Sequence, residues 1–383
     1  MLFFLSDEQK MVRDMARKFS SEVLAPKAAH YDEKEQFPSE HLPKMAELGL
    51  MGMMVDPKYG GSGLDMLSYV LALEEISRGC ASTGVTMSVN NSLFCGPVEK
   101  YGTEAQKQEF LIAAAKGEKL GAYCLSEPGT GSDAANQKTV AVKKGDDYIL
   151  NGTKNFITNG PNADYFVVFA MTDPAKKTKG ISAFLLKKND QGFAIGKVEK
   201  KLGIRASSTS QVILTDCRLP KSRLLSEEGG GFYIAMNTLD LGRIGIGTQA
   251  LGISQAAFDH AIKYAGEREA FNQTINNFQA IQWMIADMST RIEAARLLVY
   301  KAAVMKDKGL SCSREAAQAK LFASETSNFV TNKAVQIHGG YGYSREYPVE
   351  RLLRDARITE IYEGTSEIQR MVIARHLIKE YSK

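Results

Sequence analysis

Cysteine is scarce in this chain and follows no pattern. Cys80, Cys95, Cys124, Cys217 and Cys312 stand far apart, with no C-x-x-C pair. That excludes a disulfide scaffold and a thiolate zinc site, and fits free thiols in a reducing compartment. Histidine is equally sparse. His30, His41, His260, His338 and His376 form neither an i, i+4 pair nor an H-E-x-x-H motif, so no metal site is expected. The formal charge of +4 over 383 residues is too small to suggest a nucleic-acid partner, yet it tolerates an anionic ligand. No stretch approaches the ~18 uninterrupted apolar residues of a membrane span. The apolar start Met1–Leu5 lacks a basic flank and the length of a signal sequence, and reads as a cytoplasmic N-terminus. Repeats and low-complexity segments are also missing.

What is present, 44% hydrophobic and 24% charged residues, suits a globular protein with two or three cores. Ser6 and Gln9 form a capping box ahead of Val12, Met15, Phe19 and Val23 at helical spacing, and Pro26 is expected to stop or kink that helix. Further helices are expected over 39–49, with Ser39 as cap and Gly49 at the end, over 66–79, and across 81–118 with breaks at Gly96-Pro97 and Gly102. The glycine-rich Tyr59–Gly63 follows no strand and reads as a connection rather than a phosphate cradle.

From residue 120 the pattern alternates. Thr139–Val142 and Tyr148–Leu150 flank Lys143–Asp147 as a hairpin, and strands are expected at 121–125, 165–170, 181–187, 193–199 and 211–216. No long helical pattern intervenes, which favours an antiparallel β-barrel or sandwich over a parallel Rossmann sheet. After a hinge at Gly229–Gly231, helices are expected near 233–266, 279–306, 313–338 and 366–381. Ile281, Ile285, Met288, Ile292, Ala295 and Val299 form an apolar stripe on the second of these, and the four predict an antiparallel four-helix bundle. The expected α+β fold thus has an N-terminal α-helical domain (1–119), a middle antiparallel β-barrel domain (120–231) and a C-terminal four-helix bundle (232–383).

Two stretches can carry chemistry. Ile361-Tyr362-Glu363-Gly364-Thr365 puts a carboxylate beside the most permissive residue, so that backbone can approach a ligand while the acid points at it. Alone, such a Glu-Gly is most often a solvated helix end. Gly129-Thr130-Gly131, within Ser126–Asp133, is half a dinucleotide fingerprint without its third glycine or its helix, and by itself reads as a polar turn.

The longer run Arg354–Arg370, RDARITEIYEGTSEIQR, resembles the active-site signature of the acyl-CoA dehydrogenases, most closely their short-chain (butyryl-CoA) branch, and the resemblance extends over nearly the whole chain. It implies an FAD-dependent oxidoreductase that converts a saturated acyl-CoA to the trans-2-enoyl-CoA. Glu363 is then the base that removes the α-proton, its backbone N–H helps to stabilise the thioester oxygen, and a hydride passes from the β-carbon to flavin N5. The resemblance places flavin contacts at Tyr123, Leu125, Ser126, Gly131 and Ser132, at Phe156, Ile157 and Thr158, and at Thr365, Ser366 and Glu367. Relatives often carry Trp in place of Phe156. Arg268, Phe271 and Gln279, contributed across a subunit interface, and Gln336, Gly339 and Gly340 correspond to contacts with the ADP half of FAD. Ser132, Asp240, Arg243 and Gly364 correspond to substrate contacts, and Met87–Leu93 borders the acyl pocket.

Some branches of the family carry the base just before an arginine on another helix. Here that position is Gly242, ahead of Arg243, which disfavours an isovaleryl-CoA enzyme. Met87–Leu93 holds no arginine for a second carboxylate, which disfavours a glutaryl-CoA enzyme. His338 is read as a packing residue. The resemblance also implies electron-transferring flavoprotein as partner and a homotetramer built as a dimer of dimers. Fatty-acid oxidation and enoyl-CoA reduction would use the same site. The alternatives are a dehydrogenase of other acyl specificity, an acyl-CoA oxidase, whose chains are generally longer, and a flavin-containing DNA-binding relative, which would need a basic surface and no Glu363.

Overall fold

The structure, a computed structural model, describes residues 4–382, so the apolar start at Met1–Phe3 lies outside the described residues. The capping box is present: Ser6 Oγ accepts from Gln9 N at 3.1 Å and Gln9 Oε1 accepts from Ser6 N at 3.0 Å. It opens α1 (Asp7–Phe19), which passes through a π-helical turn at Ser20–Leu24 into α2 (Ala25–Lys34). Pro26 does not stop the path. It falls in the first turn of α2, where a missing N–H is harmless. The next helix is shorter than expected: α3 is His41–Glu47, with Glu40 at its N-cap rather than Ser39.

Helix α4 (Met66–Gly79) is buried almost all round. Its free N–H groups are met by Asp65, accepting from Ser68 N, and by Asp307, accepting from Met66 N at 2.6 Å and Leu67 N at 3.1 Å. Helix α5 (Ala81–Ser88) continues through a π-helical stretch, Val89–Cys95, into α6 (Gly96–Tyr101). Gly96-Pro97 is therefore no break, because Pro97 again sits in a first turn. Gly102, extended at φ −72 and ψ 145, does end the run. Two short helices, α7 (Glu104–Gln106) and α8 (Ile112–Ala115), complete this part.

The middle of the chain forms β1 (Gly121–Cys124), β2 (Val140–Lys144), β3 (Asp147–Thr158), β4 (Tyr165–Met171), β5 (Ile181–Lys187), β6 (Phe193–Val198), β7 (Thr209–Pro220) and β8 (Leu224–Leu225). The β2–β3 hairpin closes tightly, Lys144 opposite Asp147, with Gly145 at φ 63 in the turn. The sheet order is β6-β7-β3-β2-β4-β5-β8, with β1 on β4. Among the described residues β6 and β8 do not pair, so the expected barrel is an open sheet. Nor is the sheet wholly antiparallel. β1 runs parallel to β4 from Gly121/Tyr165 to Cys124/Val168, and β2 reaches β4 only at Val140/Met171. One edge of β4 is thus shared by two strands, both running parallel to it.

Strand alternation ties this sheet to the helices. Phe166, Val168, Phe184 and Leu186 pack within the sheet's own core, while Val167, Phe169, Ala183 and Leu185 point the other way, into the helical core.

The last part opens with α9 (Gly231–Glu267), followed by the small β9 (Glu269–Ala270) and β10 (Gln273–Thr274) pair, then α10 (Gln279–Asp307), α11 (Ser313–His338), α12 (Val349–Arg357) and α13 (Ser366–Tyr381). The four expected helices are present within about two residues at each end. Their packing departs from a simple bundle. Helices α9, α10 and α11 pack on one another, and α4 lies against α9 and α10, in the place a fourth helix would take. Helix α13 flanks α11 and buries only Ser366 and Gln369. Helix α12 was not expected; it holds the loop before β7 through Asp355, which accepts from Ile204 N at 2.5 Å.

Candidate active site

Glu363 lies in the turn between α12 and α13, and its backbone is left-handed at φ 51, as is that of Gly364 at φ 90. Two donors hold this turn. Lys320 Nζ on α11 and Gln369 Nε2 on α13 each donate to Gly364 O at 2.8 Å, and Gln369 Nε2 also reaches Glu363 O at 3.3 Å. Thr365 caps α13, its hydroxyl oxygen accepting from Ile368 N at 3.4 Å.

The carboxylate points onto α9. A Cβ placed on Gly242 would overlap Glu363 Oε2 and lie 3.1 Å from Leu93 Cδ2. Glu363 as a residue keeps some exposure, but Oε2 is wholly buried and has no hydrogen-bond partner among the described residues. Burial pushes its carboxyl up to about 7, against the pull of the Lys320 and Arg243 charges. The Glu363 N–H also has no acceptor among the described residues. Tyr123, on β1, donates to Ala235 O at 3.4 Å, and the Glu363 charge adds to the burial that raises its phenol. Leu93 and Tyr123 therefore reach the same place as Glu363 and Gly242.

Arg243, one residue on, is buried. Its Nη1 donates to Asp240 Oδ1 at 2.5 Å, and Ser313 Oγ donates to the same oxygen at 2.8 Å, while Arg243 Nε has no described partner. Ser366 Oγ and Gln369 Oε1 are likewise buried and unpartnered.

Beside this cluster lies the loop after β1. Glu127 and Thr130 exchange backbone hydrogen bonds of 2.9 and 3.1 Å, and Gly129 and Gly131 face open space. The loop is fastened from below. The wholly buried Lys154 Nζ donates to Glu127 Oε1 at 2.8 Å, Gln137 Oε1 at 3.0 Å and Leu125 O at 3.2 Å, and Glu127 also accepts from Lys138 N and Thr139 N. Asn155 N donates to Ser126 O at 2.8 Å, which sets Phe156–Thr158 next to the loop. Phe156 is left-handed at φ 57 and its ring is 64% exposed, whereas Ile157 is buried. A bulky residue in that conformation leaves an aromatic face uncovered, which a planar ligand can stack against. Ser132 and Glu367 are exposed, and Leu125 and Thr158 half-buried.

The other expected cofactor residues lie elsewhere. Arg268, Gly339 and Gly340 line a cavity of about 620 Å³ together with Tyr264, His338 and Tyr341. Phe271, Gln279 and Gln336 are exposed in the same part of the chain. Gly242 is on α9 and Arg268 caps its C-terminal end, and the roughly 26 residues from one to the other set them about 39 Å apart at 1.5 Å per residue. His338 stacks on Tyr264 at 4.2 Å between ring centroids and is bonded to Ala334 O at 2.8 Å, as a packing residue would be.

Sequence reasoning missed Lys320, Lys154 and the bond from the Tyr362 hydroxyl to Gln249 Oε1. Lys320 had a visible signal: Ala316 and Ala323, one helical turn to either side, make it a lysine in a core stripe. Lys154 and Gln249 had none, because their partners lie far away in the chain.

The fold and the site correspond to one class of protein. Family models for the acyl-CoA dehydrogenase N-terminal, middle and C-terminal domains match residues 6–118, 122–217 and 229–378. The chain belongs to the acyl-CoA dehydrogenase family, and is an oxidoreductase acting on acyl-CoA. It is 53% identical over 377 residues to the short-chain specific acyl-CoA dehydrogenase of Clostridium acetobutylicum, which covers 98% of this chain and 100% of that one. Butyryl-CoA dehydrogenase from Megasphaera elsdenii superimposes with a TM-score of 0.97 at 47% identity, covering 99% of this chain and 100% of that one. A chain from the structural work on the electron transferring flavoprotein of Acidaminococcus fermentans and flavin-based electron bifurcation superimposes with a TM-score of 0.98 at 51% identity, with the same coverage.

Proposed function

We propose that this enzyme is a butyryl-CoA dehydrogenase in which Glu363 is the catalytic base. The observation that carries this reading is the Glu363 carboxylate. It is buried, unpartnered at Oε2, seated over a glycine, and balanced between protonated and ionised forms near neutral pH. Such a group can accept a proton from carbon without having to shed a hydrogen bond first. The unpaired Glu363 N–H can donate to the thioester oxygen as negative charge gathers there. Gly364 lets the backbone come close to the substrate. Ser132, Asp240 and Arg243 hold the CoA portion, with Arg243 Nε free to donate and Leu93 closing one wall of the acyl pocket.

The residues present suit FAD. The small residues Gly129 and Gly131 leave room over the loop, the Phe156 ring offers an uncovered face, and Ser366 Oγ is a buried hydroxyl without a partner. Tyr123, Leu125, Ser126, Gly131, Ser132, Phe156–Thr158 and Thr365–Glu367 would hold the flavin end. When bound there, the flavin supplies the hydride acceptor for the β-carbon.

The separation of about 39 Å between Gly242 and Arg268 supports a shared cofactor site. Arg268, Phe271, Gln279, Gln336, Gly339 and Gly340 of one subunit would serve the ADP half of FAD bound to another, as a dimer of dimers permits. An electron-transferring flavoprotein is the proposed electron acceptor, supported by the likeness to the Acidaminococcus fermentans chain. The deciding experiment is an anaerobic titration of the flavin-loaded protein with butyryl-CoA. Bleaching of the flavin absorbance at one substrate per flavin is expected. A yellow protein that butyryl-CoA leaves unbleached would refute the assignment.

A further inference from the structure

The reaction described above leaves one buried cation without a part in it. Lys320 is fully buried on α11, among the buried Ala316, Ala317, Ala319 and Ala323. Helices α9 and α11 come together here, since a Cβ on Gly247 would lie 3.4 Å from the Lys320 backbone. A buried lysine normally needs a carboxylate beside it or sheds its proton. Lys320 instead sends its ammonium to a neutral atom, Gly364 O, an acceptor it shares with Gln369. That carbonyl belongs to the residue after Glu363, in a turn where both residues are left-handed.

We propose that Lys320 is a positioning residue for the base: it anchors the Glu363–Gly364 turn so that the carboxylate is held over Gly242, and its charge steadies the ionised form of Glu363. The proposal rests on the reading of Glu363 as the base. The charged groups facing this turn come from several elements: Lys320 from α11, Arg243 from α9, Glu360 from the turn after α12, and Glu367 from α13. The hydroxyls of Tyr69, Tyr123 and Tyr362 also face it, and burial keeps all three neutral. The two cations oppose the burial that raises the Glu363 carboxyl, and Lys320 is the larger of the two influences. Burial brings the Lys320 ammonium itself down to about 8, with the Glu363 charge resisting that fall, so each charge favours the other.

The test uses flavin-loaded Lys320→Met, Lys320→Gln and Glu363→Gln, and follows the single-turnover rate of flavin bleaching by butyryl-CoA across pH. Lys320→Met loses both donor and charge. Its plateau rate should fall about tenfold or more, and the pH midpoint should rise by about one unit or more. Lys320→Gln keeps a donor for Gly364 O but no charge, so it should recover much of the plateau while keeping the raised midpoint. A lysine that only packs the helices would leave the midpoint in place. An unchanged midpoint in both Lys320 variants overturns the proposal, whatever happens to the plateau, and so does failure of both to fold with flavin. If Glu363→Gln bleaches at the wild-type rate, the base reading itself falls. An inactive Glu363→Gln beside unshifted Lys320 variants removes only the role of Lys320.

Discussion

Glu363 Oε2 occupies the space that a side chain at residue 242 would need. The carboxylate from one turn and the bare backbone of another helix therefore form a single arrangement. An acid can enter this site from position 363 only because position 242 is empty.

Gly242→Ala tests that directly. The added methyl must displace either the base or Leu93. A stability loss of about 1–3 kcal/mol is expected from overpacking. Activity should fall further, by about 100-fold, because the base is moved off its line. Thermal melts and kcat on butyryl-CoA separate the two effects. Wild-type kcat in a folded Gly242→Ala enzyme would show that the carboxylate works from elsewhere.

Glu363→Gln keeps the shape of the side chain and removes its basicity. Turnover should drop by about 10²–10⁴-fold, the usual contribution of a general base. Flavin content and CoA binding should remain. Absorbance spectra and equilibrium binding of a CoA thioester check the second half of this expectation.

The pH dependence follows from the raised Glu363 carboxyl. Only the ionised form accepts a proton, so the bleaching rate should be low below about 7, rise through it, and level off above. Stability has the opposite sense. A carboxyl raised from 4.5 to about 7 on folding is ionised first in the unfolded chain, so its effect on stability turns unfavourable as pH climbs through that interval. Rapid-mixing kinetics on the wild type and on Glu363→Gln, across the same buffers, measure the first trend. Paired melts of the two proteins measure the second.

Lys154→Met removes the cation beneath the loop after β1 and leaves Glu127 buried without its charge partner. The cost should be about 3–5 kcal/mol, in the range for breaking one side of a buried pair. Flavin should also dissociate more readily, since Leu125 and Glu127 lose their common anchor. Denaturant titration and flavin content after gel filtration read these separately.

Phe156→Ala should behave differently. The ring is largely exposed, so the fold should change by no more than about 0.5 kcal/mol. Flavin retention should weaken, because the uncovered face is lost. An unchanged flavin off-rate would rule out Phe156 as a platform.

Much of this architecture was legible in the sequence because it follows from short-range patterns. Helix α10 carries a clear apolar stripe, and α11 and α13 lie where helices were expected. The β2–β3 hairpin was readable from its turn residues. What failed depended on the surroundings. Pro26 and Pro97 looked like breaks but fall in first turns, where proline is harmless. The closed barrel failed because strand patterns do not reveal that, among the described residues, β6 and β8 stay unpaired at the two ends of the sheet. In the site, the Glu363–Gly364 turn was singled out by its motif. The grip of Lys320 on Gly364 O spans 44 residues, and no local pattern carries it.

The two-sided packing of β4 and β5 has a consequence for how the molecule comes apart. Val167, Phe169, Ala183 and Leu185 belong to the same contiguous core as α4, α9 and α11, while their neighbours along each strand fill the core of the sheet. The sheet cannot shed its helices without exposing one face of its own central strands. Heating should therefore yield one cooperative calorimetric peak for sheet and helices together, with matching van't Hoff and calorimetric enthalpies, rather than a stepwise loss of separate modules.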